Sequence, residues 1–410
     1  MTTSLWLTGA ATVQHFARFS VFLGGPLYSQ RWQLWGAVIR LAAQCVPAGE
    51  VIRVSFDDTT KKTAGTHSEG LARSRNGAGS ARQEDRPLRG VNCVLGIMHI
   101  PLRGWPGHCL SVPVGGELDR KEAQAQPLHV PSQSRSQWAR AILDVLAAQL
   151  PGRSIRSLAD GGSATKDYVR QLPQAAHVVG RFPISAKLDE VPPPPMPKRR
   201  GAPRQKGDLS GSPTTLAQTT TGWTPHPSEA GAESHAWDGL WPAVWAGRRV
   251  RVVVRRRQGT PATNRSGQRK PPPAIAAFFT TDLTLSAAEI VRAYGHRWAV
   301  EMAMRDANAF AGLGHDHCRK RQRILGANTV RLVLSAARPL WFIAHVDRGS
   351  GVPLDRYRPW YRQKAAPSQL DVAEACREAL YEAGIFPIPR FTPELAENDE
   401  EPAHALPLAA

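Results

Sequence analysis

Between residues 51 and 160 short β-branched runs and one helical run follow each other in a set order, and that order restricts the fold more than any other feature of the chain. Val51-Ile-Arg-Val-Ser-Phe-Asp-Asp58 is β-branched and partly alternating, which is the pattern of a strand, and it leads into a polar stretch rich in Gly, Ser and Arg up to Arg89. Val91-Asn-Cys-Val-Leu-Gly-Ile-Met-His-Ile100 and Cys109-Leu-Ser-Val-Pro-Val114 read as two further strands joined by a Pro/Gly turn, so the three suggest an antiparallel meander. From Gln137 to Leu150 apolar residues recur at helical spacing. Ile155-Arg-Ser-Leu-Ala-Asp160 is then a short strand that ends on an acid, before Gly161-Gly162 and another helix.

Strand, strand, strand, helix, strand, helix fits a mixed α/β sheet of the RNase H-like type flanked by helices, although other α/β folds share parts of it. The composition changes between 186 and 273. Pro192 to Pro195 precede Lys198-Arg-Arg-Gly-Ala-Pro-Arg204-Gln-Lys206, a Ser/Thr/Gly stretch, and the basic strand Arg249-Val-Arg-Val-Val-Val-Arg-Arg256. This is a basic, β-rich insertion, and its Pro-rich part cannot build a packed core. Ala274 to Thr281 resumes the sheet, and Ser286-Ala-Ala-Glu289 is a capping box that opens the next helix. A later helix near Val330 to Ile343 contains Pro339, which predicts a kink. The expected organisation is a helical segment at 1–47, a catalytic core at 48–185 and 274–348 split by the insertion at 186–273, and a helical segment with a disordered tail at 349–410.

Lys and Arg number 52 against 34 Asp and Glu, a formal net charge of +18. A polyanion is the economical partner for such a chain, and arginine's planar fork suits phosphate. Basic surfaces that serve only solubility are the plainer alternative. The 5 cysteines lie far apart without a Cys-x-x-Cys pair, which points to neither a zinc ribbon nor a disulfide framework. No segment reaches the ~20 uninterrupted apolar residues of a membrane span. The expected location is the cytoplasm, associated with the nucleoid.

Phosphodiester cleavage by two metal ions needs carboxylates from separate elements that converge on one point. Asp58, Asp160 and Glu301 are available on a first strand, a later strand and a helix beyond the insertion. Asp57 and Asp58 are adjacent, and because side chains alternate across a strand only one of them faces such a site. The side shared by Ile52, Val54, Phe56 and Asp58 is apolar and sheltered, which favours Asp58. Either acid also reads as a turn cap at a strand end, and Asp160 as the N-cap of the next helix. At 100° per residue Tyr294, Arg297, Glu301 and position 308 fall within roughly 60° of one another, a face fit for phosphate and metal or, more plainly, a solvated Arg/Glu pair.

Tyr294-Gly-His-Arg297-Trp-Ala-Val-Glu301 resembles the Tyr-x2-Arg-x3-Glu-x6-Lys signature of bacterial insertion-sequence DDE transposases, the YREK group. Asp58-Thr-Thr and Ala159-Asp160-Gly resemble the first and second acidic motifs of that group, and Phe279-Thr-Thr-Asp-Leu-Thr-Leu-Ser286 the strand that leads into its signature helix. The resemblance covers roughly residues 48 to 345 and implies a metal-dependent enzyme that cuts and rejoins DNA at inverted-repeat ends. It implies that Asp58, Asp160 and Glu301 hold two Mg²⁺ or Mn²⁺ ions, that Tyr294 and Arg297 hold phosphates, and that double-stranded DNA, as transposon ends and as target, is bound by a dimer. Position 308 departs from the pattern, being Asn rather than Lys, and Arg305 is the expected substitute. Lys198, Arg199, Arg200, Arg204 and Lys206 are expected to run along the DNA backbone. A DNA-binding but inactive relative and a stand-alone two-metal nuclease are the competing readings.

Overall fold

A computed structural model describes residues 16–62, 68–74, 88–119, 132–162, 164–193, 204–226, 231–257, 262–263, 269–270, 275–313, 318–347 and 365–384. Those up to 347 belong to one compact unit and 365–384 to a second. The first unit opens with helices α1 (Phe16–Gly24) and α2 (Pro26–Gln44). Strand β1 (Ile52–Lys62) follows, then β2 (Leu71–Ser74), β3 (Leu88–Pro101) and β4 (Cys109–Leu118). As the alternation predicts, β1 pairs antiparallel with β3 and β3 antiparallel with β4.

Helix α3 (Arg135–Gln149) begins at a capping box formed by Ser134 and Gln137. It leads into β5 (Ile155–Ala159), which lies parallel to β1, and the single-turn helix α4 (Lys166–Val169) leads into β6 (Ala176–Arg181), parallel to β5. The order β4-β3-β1-β5-β6, antiparallel on one side of β1 and parallel on the other, is that of an RNase H-like sheet. Two glycines let α3 lie close on this sheet. A Cβ at Gly96 would stand 2.9 Å from Ile142, and one at Gly115 2.7 Å from the same side chain.

The insertion extends the same sheet. Short strands β7 (Leu188–Asp189), β8 (Leu209–Gly211) and β9 (Thr224–Pro225) and helix α5 (Pro213–Thr219) come first. Strands β10 (Ala232–Trp241) and β11 (Trp245–Arg257) form an antiparallel pair, β12 (Ala262–Thr263) pairs with β13 (Arg269–Lys270), and β14 (Ile275–Thr280) joins β11 to β6. Val250, Val252, Val253 and Val254 are wholly buried, so hydrophobic burial holds this basic strand against its neighbours. Helix α6 (Ala287–Gly295) starts at the Ser286/Glu289 capping box and packs Ile290 and Ala293 on Leu158, Val179, Val253 and Phe278. A 3₁₀ turn, His296–Trp298, then passes into α7 (Ala299–Ala311).

Helix α8 (Arg321–His345) is longer than the apolar pattern suggested and continues through Pro339. It covers the face of the sheet opposite α3: a Cβ at Gly116 would meet Leu332 at 2.8 Å, whereas one at the preceding Gly115 meets Ile142. With both faces covered, β3 and β4 are buried almost without interruption. The second unit shows one helix, α9 (Gln369–Glu382), opened by a Ser368/Asp371 capping box. Among the described residues no helix is long and apolar enough to cross a membrane.

Candidate active site

The two sides of β1 meet different helices, and this decides which acid faces which partner. Ile52, Val54 and Phe56, at most 1% exposed, point toward α3 and are closed off by it. Arg53, Ser55 and Asp57 lie on the other side, under the 3₁₀ turn and α7. Asp57 Oδ2 lies 3.5 Å from Nη1 of Arg297. Asp58, expected on the sheltered side to meet the signature helix, is instead taken by Arg135, the first residue of α3, at 2.5 Å. The placement has a physical reason: the apolar side of β1 is covered as core, and the polar side is the one beneath the signature helix.

Asp160 follows β5. The last parallel rung between β1 and β5 is Ser55–Leu158; Asp57 and Asp160 each follow two residues beyond it, close enough that the Asp160 charge is felt at Asp57. Asp160 does not cap the next helix, since Thr165 does so through its side chain. Burial pushes the Asp57 carboxyl from its ordinary 3.8 up to about 6; the Asp58 amide pulls it down, the Asp160 charge pushes it up, and Arg297 draws it down. Desolvation therefore outweighs the ion pair.

Arg297 is the hinge of the arrangement. Its guanidinium donates to Glu301 at 2.9 Å and reaches Asp57, with only 12% of the side chain exposed. Its Nε is buried and has no hydrogen-bond partner. Burial works against the charge on Arg297 but is outweighed by Tyr294, Asp57 and Glu301, which raise its pKa above the ordinary guanidinium value. Tyr294 is half-buried with its ring 4.8 Å from Phe278. The uniform 100° spacing used for Tyr294 to position 308 does not hold, because a 3₁₀ turn advances about 120° per residue and adds roughly 60° over three residues. The Arg297–Glu301 contact survives this, and Tyr294 turns toward the core.

Other expected residues are placed less centrally. Arg305, one turn after Glu301, is exposed and pairs with Asp306 at 3.2 Å, and Asn308 is exposed. Arg204 pairs with Asp208 at 2.8 Å, and Lys206 with the buried Asp189 at 3.2 Å. Lys198, Arg199 and Arg200 lie outside the described residues. On β11, Arg251 forks onto Asp238 at 2.6 and 2.8 Å, and Arg256 pairs with Glu233 while stacking over Trp223 at 4.0 Å.

Two arginines that sequence reasoning did not single out stand beside the acids. Arg135 holds Asp58 and feels the charge of Asp160. Arg181 follows the Ala159–Gly180 rung, opposite Asp160, with its guanidinium over Phe278 at 5.3 Å. The Ser134 capping box would have marked Arg135 as a first-turn residue. Nothing local marks Arg181, since its neighbour comes from strand pairing.

The donor chemistry of Asp57 and Asp160 fits a hard divalent cation: two neighbouring carboxylates, one of them with its pKa raised by burial and by the charge of the other, so that a bound cation would favour the ionised pair. Glu301 is engaged by Arg297. Among the described residues no group of three or more His, Cys, Asp or Glu is close enough to hold an ion.

A mixed sheet in the order β4-β3-β1-β5-β6, with Asp57 on β1, Asp160 just past its parallel neighbour β5 and Arg297 reaching Asp57 from the 3₁₀ turn above, defines an RNase H-like protein. Residues 126–335 match the family model of the transposase DDE domain, just over half of the chain, and the chain belongs to that family. The match includes Asp160, Tyr294, Arg297 and Glu301 and begins after Asp57 and Asp58. No curated protein matches the chain.

Proposed function

We propose that this transposase-family protein cleaves DNA at the inverted-repeat ends of an insertion sequence and transfers the freed strand to a target, with Asp57, Asp160 and Glu301 as its acidic centre. The observation that carries the reading is Arg297, which contacts both Asp57 and Glu301 while Asp57 feels the charge of Asp160. Asp57 replaces Asp58 in this centre because Asp58 faces α3. Bound Mg²⁺ or Mn²⁺ would polarise the phosphate and lower the pKa of the attacking water. Arg297, Arg135 and Arg181 would hold the non-bridging phosphate oxygens. Water attacks phosphorus first and releases a strand with a 3′-hydroxyl, whose oxygen then attacks a target phosphodiester and displaces a 3′-oxygen there. Double-stranded DNA is the partner, and joining two ends calls for a dimer.

The engagement of Glu301 by Arg297, together with Asn308 in place of the signature lysine, favours one second reading, a DNA-binding relative that does not cut. The two separate in one assay. The full-length protein is incubated with a duplex carrying the DNA that flanks its gene, with Mg²⁺ or Mn²⁺, and the products are resolved on a denaturing gel. Nicks at fixed terminal positions with joined products support transposition. Hydrolysis without joining means a nuclease, and salt-sensitive binding without cleavage means the inactive relative.

A further inference from the structure

Beneath the 3₁₀ turn, on the same side of the sheet as Asp57, a fully buried imidazole is held between two serines. His99 Nε2 lies 2.6 Å from Ser55 Oγ and His99 Nδ1 3.1 Å from Ser111 Oγ, and Ser111 Oγ donates to the carbonyl of Ala299 at 3.4 Å. Ser55 is 0% and His99 1% exposed. These four residues belong to β1, β3, β4 and the first position of α7. Ser55 is two residues before Asp57 and on its side of the strand; Ala299 is two residues before Glu301.

The end of the chain sets its direction. A carbonyl only accepts, so the Ser111 hydroxyl is spent as donor to Ala299, and Ser111 oxygen is left to accept from His99 Nδ1–H. Nε2 of a neutral ring must then accept from the Ser55 hydroxyl. The ring is held neutral: burial, then the charges of His296 and Arg53, depress its pKa to about 3. Every polar atom of the chain has a partner, and each is fixed to a different element.

We propose that Ser55, His99 and Ser111 are positioning residues, a one-directional hydrogen-bond relay that fixes α7 against β1 and so sets the spacing between Glu301 and Asp57. The inference rests on the acidic centre proposed above, and it assigns this buried chain a task that packing alone does not require. Apolar side chains of similar size would fill the same space without fixing α7 along its axis.

Two measurements test it. In full-length protein labelled with ¹⁵N-histidine, the imidazole nitrogen shifts of His99 at pH 7 should be those of the neutral Nδ1–H tautomer, and an Nε2–H tautomer or a charged ring would overturn the relay. In the second, Mn²⁺ binding is followed by the loss of free-ion EPR signal for the wild type and for Ser111→Ala, with the thermal midpoint recorded for both. A partner bonded directly to a metal ligand is worth about tenfold or more in metal affinity, and Ser111, which acts on Glu301 through the backbone of α7, is expected at the low end of that range, about tenfold. The expected result is a weakening of that size in a variant that still unfolds cooperatively. If the wild type binds Mn²⁺ and Ser111→Ala binds it equally well, the positioning role is wrong whatever happens to the midpoint. If the wild type itself binds none, the acidic centre fails first and the positioning role falls with it, while the tautomer still reports on the relay's direction.

Discussion

Nη1 of Arg297 lies 3.5 Å from Oδ2 of Asp57, so a residue of the 3₁₀ turn reaches across to the first strand of the sheet and holds its inner acid. The same guanidinium donates to Glu301 at 2.9 Å, which makes Arg297 a contact shared by the first and third members of the proposed centre. Replacing it leaves a buried carboxylate without its counter-charge and a phosphate without its donor. Arg297→Ala should lower the initial rate of strand cleavage by about 10²-fold or more, the scale for losing one preorganised donor. Arg297→Lys should recover only a small part, because an ammonium is a point charge and does not span two carboxylates as a fork does. Initial rates on the flanking-DNA duplex give the comparison, and full activity in the lysine variant would contradict it.

The elevated pKa of Asp57 ties stability to pH with a definite sign. Its folded value of about 6 lies above the ordinary 3.8, so between these values the folded chain binds more protons than the unfolded one and stability falls as pH rises. The cost is fully present above about pH 6 and, over roughly two units with part of the carboxyl in contact with solvent, amounts to about 1–3 kcal/mol. Asp57→Asn should therefore be more stable than the wild type at pH 7.5 without divalent ions, and the difference should vanish below about pH 4. Added Mn²⁺ should stabilise the wild type but not the variant. Urea unfolding at these two pH values, with and without Mn²⁺, checks both.

How much of this was legible in the sequence follows from how local each signal is. The three-strand meander, α3 and the short strand ending at Asp160 are carried by alternation and helical spacing within single segments, and they lie where the pattern puts them. Ser286 and Glu289 cap α6 because a capping box involves only four consecutive residues. Which side of β1 faces Arg297 was not legible. Ile52, Val54 and Phe56 show that one side is buried, and no local pattern tells that α7 packs over the other. The 3₁₀ turn at His296–Trp298 was equally hidden, and with it the rotation that takes Tyr294 toward Phe278. Arg181 and the partners of His99 come from strand pairing across long separations, which residue spacing does not encode.

Close helix packing gives a prediction on the fold itself. Gly326, inside α8, faces the carbonyl of Leu23 at the end of α1, and a Cβ there would lie 2.0 Å from that oxygen. Gly326→Ala gains about 0.5–1 kcal/mol in helix propensity but forces α1 away, and overpacking of a close contact costs about 1–3 kcal/mol. The urea midpoint should fall; a rise would mean that α1 does not hold this position.

The central claim, that Asp57 and not Asp58 is the carboxylate that binds a divalent ion, is tested most directly by a change of metal preference. A thiolate is a soft ligand that Mg²⁺ accepts poorly and Mn²⁺ accepts better. Cleavage of the flanking-DNA duplex is measured for Asp57→Cys and Asp58→Cys with each ion. The expected result is that Asp57→Cys is inactive with Mg²⁺ and partly active with Mn²⁺, while Asp58→Cys cuts with either. If Asp57→Cys cuts with Mg²⁺, or if Asp58→Cys is the variant that only Mn²⁺ restores, the assignment is contradicted.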